Sequence, residues 1–193
     1  MRKSIACLAA FAASLTGCVH VPAAAPDPPA PHTACVAGPP IDLQRYMGKW
    51  FVIAETPYLG DAEYVGSYDE WTLRADGKIS DDYLGQRQSF DQPVTGSHFV
   101  AKIVRGTGNT TWRVGLIWPF EVRVVTAYVD PDYQYTIRCM VDSNMVWILS
   151  RSPTMDEATY LNLIARLAGM GFNIGRIRRV PQKTGRIEPP RSE

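Results

Sequence analysis

IDLQRYMGKWFVIAET, residues 41–56, carries the strongest structural signal in the chain. A polar turn over 42–47 leads to Gly48-Lys49-Trp50, and the run from Trp50 to Ala54 has the composition of a β-strand. Gly48 lacks a Cβ atom, so the backbone can turn sharply there and approach other segments closely. Trp50 carries the largest apolar side chain and needs a deep burial site. The pattern predicts a first strand that begins beside a buried tryptophan, although an ordinary core tryptophan would also fit.

The segment from 41 to about 152 is predicted to be all-β. Short runs rich in Val, Ile, Tyr, Trp and Thr alternate with Gly, Pro, Asp and Asn. Asp76-Gly77 is a hairpin signal, and Asp142-Ser143-Asn144 predicts a second tight turn. Eight sequential strands with short connections predict an up-and-down antiparallel barrel that encloses one small ligand. The predicted strands are Trp50–Glu55, Ser67–Leu73, Lys78–Leu84, His98–Val104, Thr111–Trp118, Arg123–Val129, Tyr135–Met140 and Met145–Ser150.

Residues 154–168 change to helical periodicity. Thr154 and Glu157 fit a capping box at the start of a helix. The helix is expected to lie against the outside of the barrel through one apolar stripe. That stripe comprises Tyr160, Leu161, Ile164, Leu167 and Ala168. The arginines of the closing segment, Arg176, Arg178 and Arg179, are interpreted as a solvated surface, with a binding role as the alternative.

The first 18 residues resemble a bacterial lipoprotein signal. Arg2 and Lys3 precede an apolar stretch from Ile5 to Leu15 that is too short to span a bilayer as a helix. The tetrapeptide ending at Cys18, Leu-Thr-Gly-Cys, is typical of a site where the cysteine is lipidated and becomes the first mature residue. An ordinary secretory signal with an incidental cysteine is the alternative. The prediction is a signal peptide over 1–17 and a lipid anchor, for example palmitate, on Cys18.

The domain boundaries follow from composition. Residues 18–40 contain seven prolines and few large apolar residues, which predicts an extended tether. Residues 41–182 are the predicted folded domain, and 183–193 a disordered tail. Val19 follows the lipidated cysteine where an aspartate usually signals retention in the inner membrane. The expected location is therefore the periplasmic face of the outer membrane.

The charge balance bears on the binding partners of the protein, and the cysteine content bears on whether it contains a disulfide. Removal of the signal leaves 18 basic and 19 acidic residues, so no basic excess suggests nucleic-acid binding. Of the four cysteines, Cys35 and Cys139 remain available in an oxidising compartment. They are either joined in a disulfide or present as separate thiols with Cys139 buried.

Four segments together resemble the motifs of lipocalins. Gly48-Lys49-Trp50 is similar to the first motif, and Trp71–Leu73 followed by Asp76-Gly77 resembles the second-strand hairpin. Tyr128–Tyr133 lies where the family has its second motif, a turn around Asp130. Trp147–Arg151, followed by Ser-Pro-Thr, resembles the third. The whole of 41–182 resembles a bacterial outer-membrane lipocalin, although residues 57–65 and 80–82 depart from a typical member.

The resemblance implies a structural floor and a ligand cavity. Gly48, Trp50, Trp71 and Arg151 would close one end of the barrel, with the arginine stacked on Trp50. Counting strand alternation from these anchors assigns further side chains to the ligand-binding interior. These are Ala54, Val114, Leu116, Val124, Thr126, Tyr135, Ile137, Met145 and Trp147, with Tyr128 and Cys139 on the same predicted faces. The lining would be apolar with a few hydroxyls, and a solidly filled core is the alternative.

Two carboxylates do not suit an apolar interior. Asp69 and Asp81 fall at inward positions on the predicted registers. Either they lie at a wet mouth and meet a polar headgroup, or the register is wrong, because a buried carboxylate needs a partner or a raised pKa.

No enzymatic, metal-binding or cofactor-binding pattern is visible in the sequence. The histidines stand apart, and no nucleophile–base motif or phosphate loop occurs. The predicted function is binding of a fatty acid or lysophospholipid for lipid storage, transport or membrane maintenance. The alternatives are an envelope protein-interaction module, with a homodimer through the open-end loops as a variant, and an enzyme using Cys139 or the two aspartates.

Overall fold

Eight antiparallel strands close into a barrel in the computed structural model, which describes residues 35–58, 63–117 and 119–183, without the side chain of Ile117. The sheet order runs from β2 to β8 and then to β1, and β1 also pairs with β2. The strands are β1 Gly48–Glu55, β2 Tyr64–Leu73, β3 Ile79–Arg87, β4 Val94–Ile103, β5 Thr111–Ile117, β6 Phe120–Val129, β7 Tyr135–Met140 and β8 Val146–Ser150. The predicted all-β barrel with a C-terminal helix is confirmed.

Two helices, a 3₁₀ turn and a short ninth strand complete the described fold. Helix α1 (Leu43–Tyr46) crosses the closed end, where the sequence had predicted only a polar turn. Asp42 caps it by accepting hydrogen bonds from the backbone N–H groups of the first turn. Helix α2 is Glu157–Gly169, and a 3₁₀ turn leads to a ninth strand, β9 (Arg178–Arg179).

The C-terminal strand fills a seam in the barrel. β1 pairs with β2 only over 48–51 and 68–71, and above that level β9 pairs with β1 instead. Gly66 N–H donates to Pro181 O, and Gln182 Nε2 donates to Val52 O and Ser67 O. The C-terminal segment therefore supplies backbone pairing that β2 no longer provides.

A disulfide between Cys35 and Cys139 fixes the N-terminal segment to β7, with the Cα atoms 5.8 Å apart. Gly38 N–H then donates to Thr126 O, and Ile41 N–H donates to Gly108 O near the closed end. The segment predicted as a tether is thus in contact with the barrel from residue 35 onward. The predicted signal, the Cys18 anchor and the rest of the tether lie outside the described residues, as does the tail from 184.

The apolar residues form two cores on opposite sides of the barrel wall. The inner core includes Trp50, Trp71 and Trp112. The outer core lies between the wall and α2 and includes Ile137, Leu163 and Leu167. Strand residues that face outward are therefore apolar wherever α2 or the N-terminal segment covers them.

Helix α2 differs from its prediction at both its cap and its face. Asp156, rather than Thr154, caps the helix by accepting from Thr159 N–H, so the predicted capping box is wrong. Leu163 and Leu167 are the buried residues, whereas Leu161 is 54% exposed. The apolar face of α2 is therefore rotated relative to the prediction, with Leu163 instead of Leu161 against the barrel.

Candidate ligand-binding site

The closed end of the barrel is built around Trp50 and Arg151. Trp50 is fully buried, and the Arg151 guanidinium lies 3.8 Å from its ring centroid. Arg151 also donates to the carbonyl oxygens of Lys49 (2.8 Å) and Arg45 (2.6 Å). The contact predicted between Trp50 and Arg151 is present, and it joins the start of β1 to the end of β8 across the floor.

Gly48 and Tyr46 shape this floor from below. Gly48 has φ +91°, a conformation that favours glycine, and a Cβ there would meet Arg151 Nη1 at 3.5 Å. Tyr46, which sequence reasoning missed, stacks on Trp71 with centroids 5.1 Å apart. Its hydroxyl lies 2.9 Å from Thr136 Oγ1, and burial raises its pKa. The sequence pattern did not mark Tyr46 as a core residue because a four-residue helix is too short to show helical periodicity.

Four of the predicted lining residues belong to the interior. Val114, Val124 and Trp147 pack in the inner core. Thr126 donates its hydroxyl hydrogen to Tyr46 Oη at 3.2 Å. Trp71, predicted at the floor, is also there, 5.2 Å from the ring of Trp112.

Other predicted lining residues face elsewhere. A β-bulge between Val52 and Ala54 shifts the register of β1, so Ala54 packs in the outer core. Leu116 is 48% exposed, and Met145 is half-buried in the turn before β8. Neither of these belongs to the inner core.

The face predicted for β7 is reversed. Tyr135, Ile137 and Cys139 pack in the outer core, together with Tyr128 of β6. The prediction assumed that apolar residues face inward, but α2 and the disulfide-linked segment cover this strand from outside. Two of the inward positions of β7 are instead polar and buried, Thr136 and Arg138, the latter with 4% exposure.

Charged groups in the barrel correct the prediction of an apolar lining. In the strand register, Asp69 lies opposite Trp50 and Asp81 lies opposite Trp71. Because residues opposite each other share a face of the sheet, both carboxyls are on the inner face. Asp81 is only 7% exposed, so it lies within the barrel and not at a wet mouth. Burial raises its pKa above the ordinary 3.8, against the opposing effects of Arg138 and of a hydrogen bond with Asp69.

A second charged pair sits where β9 joins β1. The bulge turns Glu55 inward at a fully buried position, and Arg178 Nη2 lies 2.8 Å from Glu55 Oε1. The sequence had suggested a solvated Arg178. Because the ion pair joins β9 to β1, it holds the C-terminal strand in the seam.

The inner side chains become accessible toward the open end. Trp50, Trp71 and Trp112 near the floor are fully buried. Phe99 and Trp147, which also pack on the inner core, are half-buried and so remain within reach of solvent. The lower interior is therefore filled by aromatic side chains, and the inner-core side chains that solvent still reaches lie above them.

Comparison with known proteins agrees with this architecture. A lipocalin-like domain matches residues 41–182. The chain belongs to the lipocalin family. It is similar to temperature-induced lipocalin-1 of Arabidopsis thaliana, 26% identical over 163 residues that cover 79% of this chain and 83% of that protein. It is also similar to the outer membrane lipoprotein Blc of Escherichia coli (strain K12), 25% identical over 138 residues, 70% of this chain and 76% of that protein.

Solved structures support the same fold at lower identity. Apocrustacyanin C2 superposes with a TM-score of 0.60 at 13% identity, covering 74% of this chain and 81% of its own. At this identity the likeness concerns the lipocalin fold alone.

Family membership implies binding of a small hydrophobic ligand, and lipocalins are typically non-enzymatic binding proteins. The disulfide removes Cys139 from nucleophilic chemistry, since its sulfur is bonded to Cys35. The described part of the chain has no cluster of three or more His, Cys, Asp or Glu arranged for a metal. Within the same residues, no helix combines the length and apolar character needed to cross a bilayer.

Replacing Asp81 by asparagine is expected to stabilise this lipocalin at neutral pH, because burial disfavours the ionised carboxyl more than Arg138 and its hydrogen bonds favour it. Its raised folded-state pKa makes the wild type lose stability as pH rises from about 4 through that pKa, because the buried carboxyl must ionise. Urea unfolding between pH 4 and 8 should show the advantage of Asp81→Asn growing with pH.

Asp76 provides a control of opposite sign. It is exposed, and hydrogen bonds from Lys78 lower its pKa to about 2. Asp76→Asn should therefore lose stability relative to wild type above about pH 4 and match it in stronger acid. An Asp81→Asn curve parallel to wild type across the range would show that Asp81 does not ionise at a cost in the barrel.

Proposed function

We propose that this lipocalin binds a single-chain lipid, a fatty acid or a lysophospholipid, and serves lipid storage, transport or outer-membrane maintenance. The observation that carries the proposal is a group of apolar inner-core side chains that remain partly exposed above a filled aromatic floor. Phe99, Val122 and Trp147 are inward-facing, apolar and half-buried. An acyl chain placed there would gain about 25 cal/mol per Å² of apolar surface removed from water.

We further propose that the protein is a lipoprotein held at the periplasmic face of the outer membrane through acylated Cys18. The similarity to Blc, an outer membrane lipoprotein, supports this location. The Cys35–Cys139 disulfide supports an oxidising compartment. Mass analysis of the mature N-terminus from envelope preparations tests the anchor, and an unacylated Cys18 would overturn it.

The position of the disulfide favours a barrel mouth that faces the bilayer. Cys139 lies one residue before the end of β7, next to the β7–β8 turn at the open end. Cys18 precedes Cys35 by 17 residues, a reach of roughly 50 Å at about 3 Å per residue. Large exposed apolar side chains at the same end would meet the acyl region. They are Tyr58, Val94, Leu116 and Phe120.

A tryptophan at Val122 is expected to weaken binding of tetradecanoic acid by about 10- to 100-fold, because the added ring fills the upper interior. Titration calorimetry of the delipidated protein measures the effect. Leu116→Trp is the matched control, since Leu116 is 48% exposed on the neighbouring strand and should leave the affinity nearly unchanged. Equal affinities for wild type and Val122→Trp would remove this space as the binding site.

Lipid extraction of protein isolated from its own envelope distinguishes lipid binding from a protein-interaction module. Co-purifying single-chain lipid in near-stoichiometric amount supports the proposal. A lipid-free barrel that carries a stoichiometric protein partner or a second copy of the chain would favour the module.

A further inference from the structure

Arg138 is a buried guanidinium with two open donors. It packs on the rings of both Trp112 and Trp71, 4.1 and 4.7 Å from their centroids. Its Nε and Nη2 atoms are shielded from solvent, and no described side chain accepts a hydrogen bond from either. Nε and Nη2 form one side of the planar guanidinium, the pair of parallel donors that matches a carboxylate. A buried charged donor without an acceptor is costly, so the arrangement indicates a missing partner.

The groups around Arg138 restrict what that partner is. Trp71 Nε1 and Asp81 Oδ1 likewise lack a hydrogen-bond partner of good geometry, although the indole lies close enough to lower the pKa of Asp81. The unmet groups are thus several N–H donors and one carboxyl oxygen. They lie on inward positions of β2, β3 and β7, beside the tryptophan rings that fill the lower interior.

We propose that the lipocalin binds a fatty acid with its carboxylate pointing down, accepted by Nε and Nη2 of Arg138, with its acyl chain leading up past Trp147. The inference rests on the proposed function and narrows its ligand to a single-chain carboxylic acid. Asp81 shares one proton with the bound carboxyl, which satisfies both groups without adding a second net charge. Trp147 lies directly across from Arg138 in the sheet and is half-buried, so its ring is the group that an entering headgroup has to displace.

Other headgroups fit the same atoms less well. An amine would meet Asp81 but leave the Arg138 donors unmet and place a second positive charge beside them. The phosphodiester of a lysophospholipid carries one negative charge, as a carboxylate does, but its larger size and the attached head group crowd the neighbouring Asp69 and Asp81 carboxyls. A lysophospholipid is therefore expected to bind more weakly than a fatty acid of equal chain length.

Titration of wild type with tetradecanoic acid, tetradecan-1-ol and methyl tetradecanoate tests the headgroup. We expect the acid to bind about 10- to 100-fold more tightly than the other two, the effect of a charge-assisted hydrogen-bonded pair. Arg138→Gln should abolish the preference while alcohol affinity stays within about 3-fold. Arg123→Gln, at an exposed arginine of β6, should retain the preference.

A measurement on wild type alone fixes the orientation even if Arg138→Gln fails to fold. With tetradecanoic acid labelled with ¹³C at both ends, a soluble gadolinium chelate should broaden the terminal methyl resonance and spare the carboxyl resonance. The reverse pattern, or equal binding of all three ligands, overturns the headgroup assignment and leaves lipid binding intact. Failure of all three to bind overturns the proposed function itself.

Discussion

Replacing Trp50 by alanine should lower the free energy of unfolding by about 3–5 kcal/mol, since a fully buried indole leaves a cavity in the barrel floor. Besides leaving a cavity, the substitution removes a hydrogen bond and two ring contacts. Trp50 Nε1 donates to Tyr46 O at 2.8 Å, and the ring supports Tyr46 and Trp71 with centroids 5.3 and 6.1 Å away. Urea unfolding followed by far-UV circular dichroism measures the change without depending on the lost fluorophore.

The contact with Arg151 can be isolated by a double-mutant cycle. Arg151→Ala removes the cation–π contact and leaves the Lys49 and Arg45 carbonyls without their donor. We expect a coupling energy between Trp50 and Arg151 of about 1–2 kcal/mol, because the guanidinium is partly desolvated.

Arg166 and Tyr128 provide the matched control pair. The Arg166 guanidinium lies 4.2 Å from the Tyr128 ring on the outside of the barrel, where Arg166 is exposed. Its coupling should be about 0.5–1 kcal/mol. A cycle at Trp50 and Arg151 no larger than this control would show that the floor is held by packing alone.

The sequence predicted those features that local patterns encode. The eight strands follow from alternating β-branched and aromatic runs between turn residues, and they hold in the structure. The turn at Asp130 also matches: its Oδ1 accepts from Gln134 N–H at 2.7 Å. Trp50 and Arg151 were predictable because each ends a recognisable motif.

The orientation of individual strand faces was less predictable, because it depends on what covers the barrel outside. Ile137 and Cys139 alternate with Arg138, and the ordinary rule places the apolar pair inward. Helix α2 and the segment at Cys35 bury that pair from outside, which leaves Arg138 inside. In β1 the bulge beside Ile53 likewise reverses the faces of the following residues and turns Glu55 inward. No residue pattern in the sequence marks the position of this bulge.

Loss of the Cys35–Cys139 disulfide should lower the free energy of unfolding by about 2–5 kcal/mol, with a fall in melting temperature of about 10 °C. The bond links residues 104 apart in sequence, so its removal frees a long loop in the unfolded chain. It also releases the N-terminal segment, which is otherwise held to β6 by the Gly38–Thr126 hydrogen bond.

Thermal unfolding with and without a thiol reductant measures this contribution, and the Cys35→Ser/Cys139→Ser double variant separates it from other effects of the reductant. The double variant should match reduced wild type and show no response to the reductant. Identical melting temperatures for oxidised and reduced wild type would mean that the segment at Cys35 packs equally well without the bond. The non-covalent contacts of the N-terminal segment, among them the Gly38–Thr126 and Ile41–Gly108 backbone hydrogen bonds, would then be sufficient to hold it on the barrel.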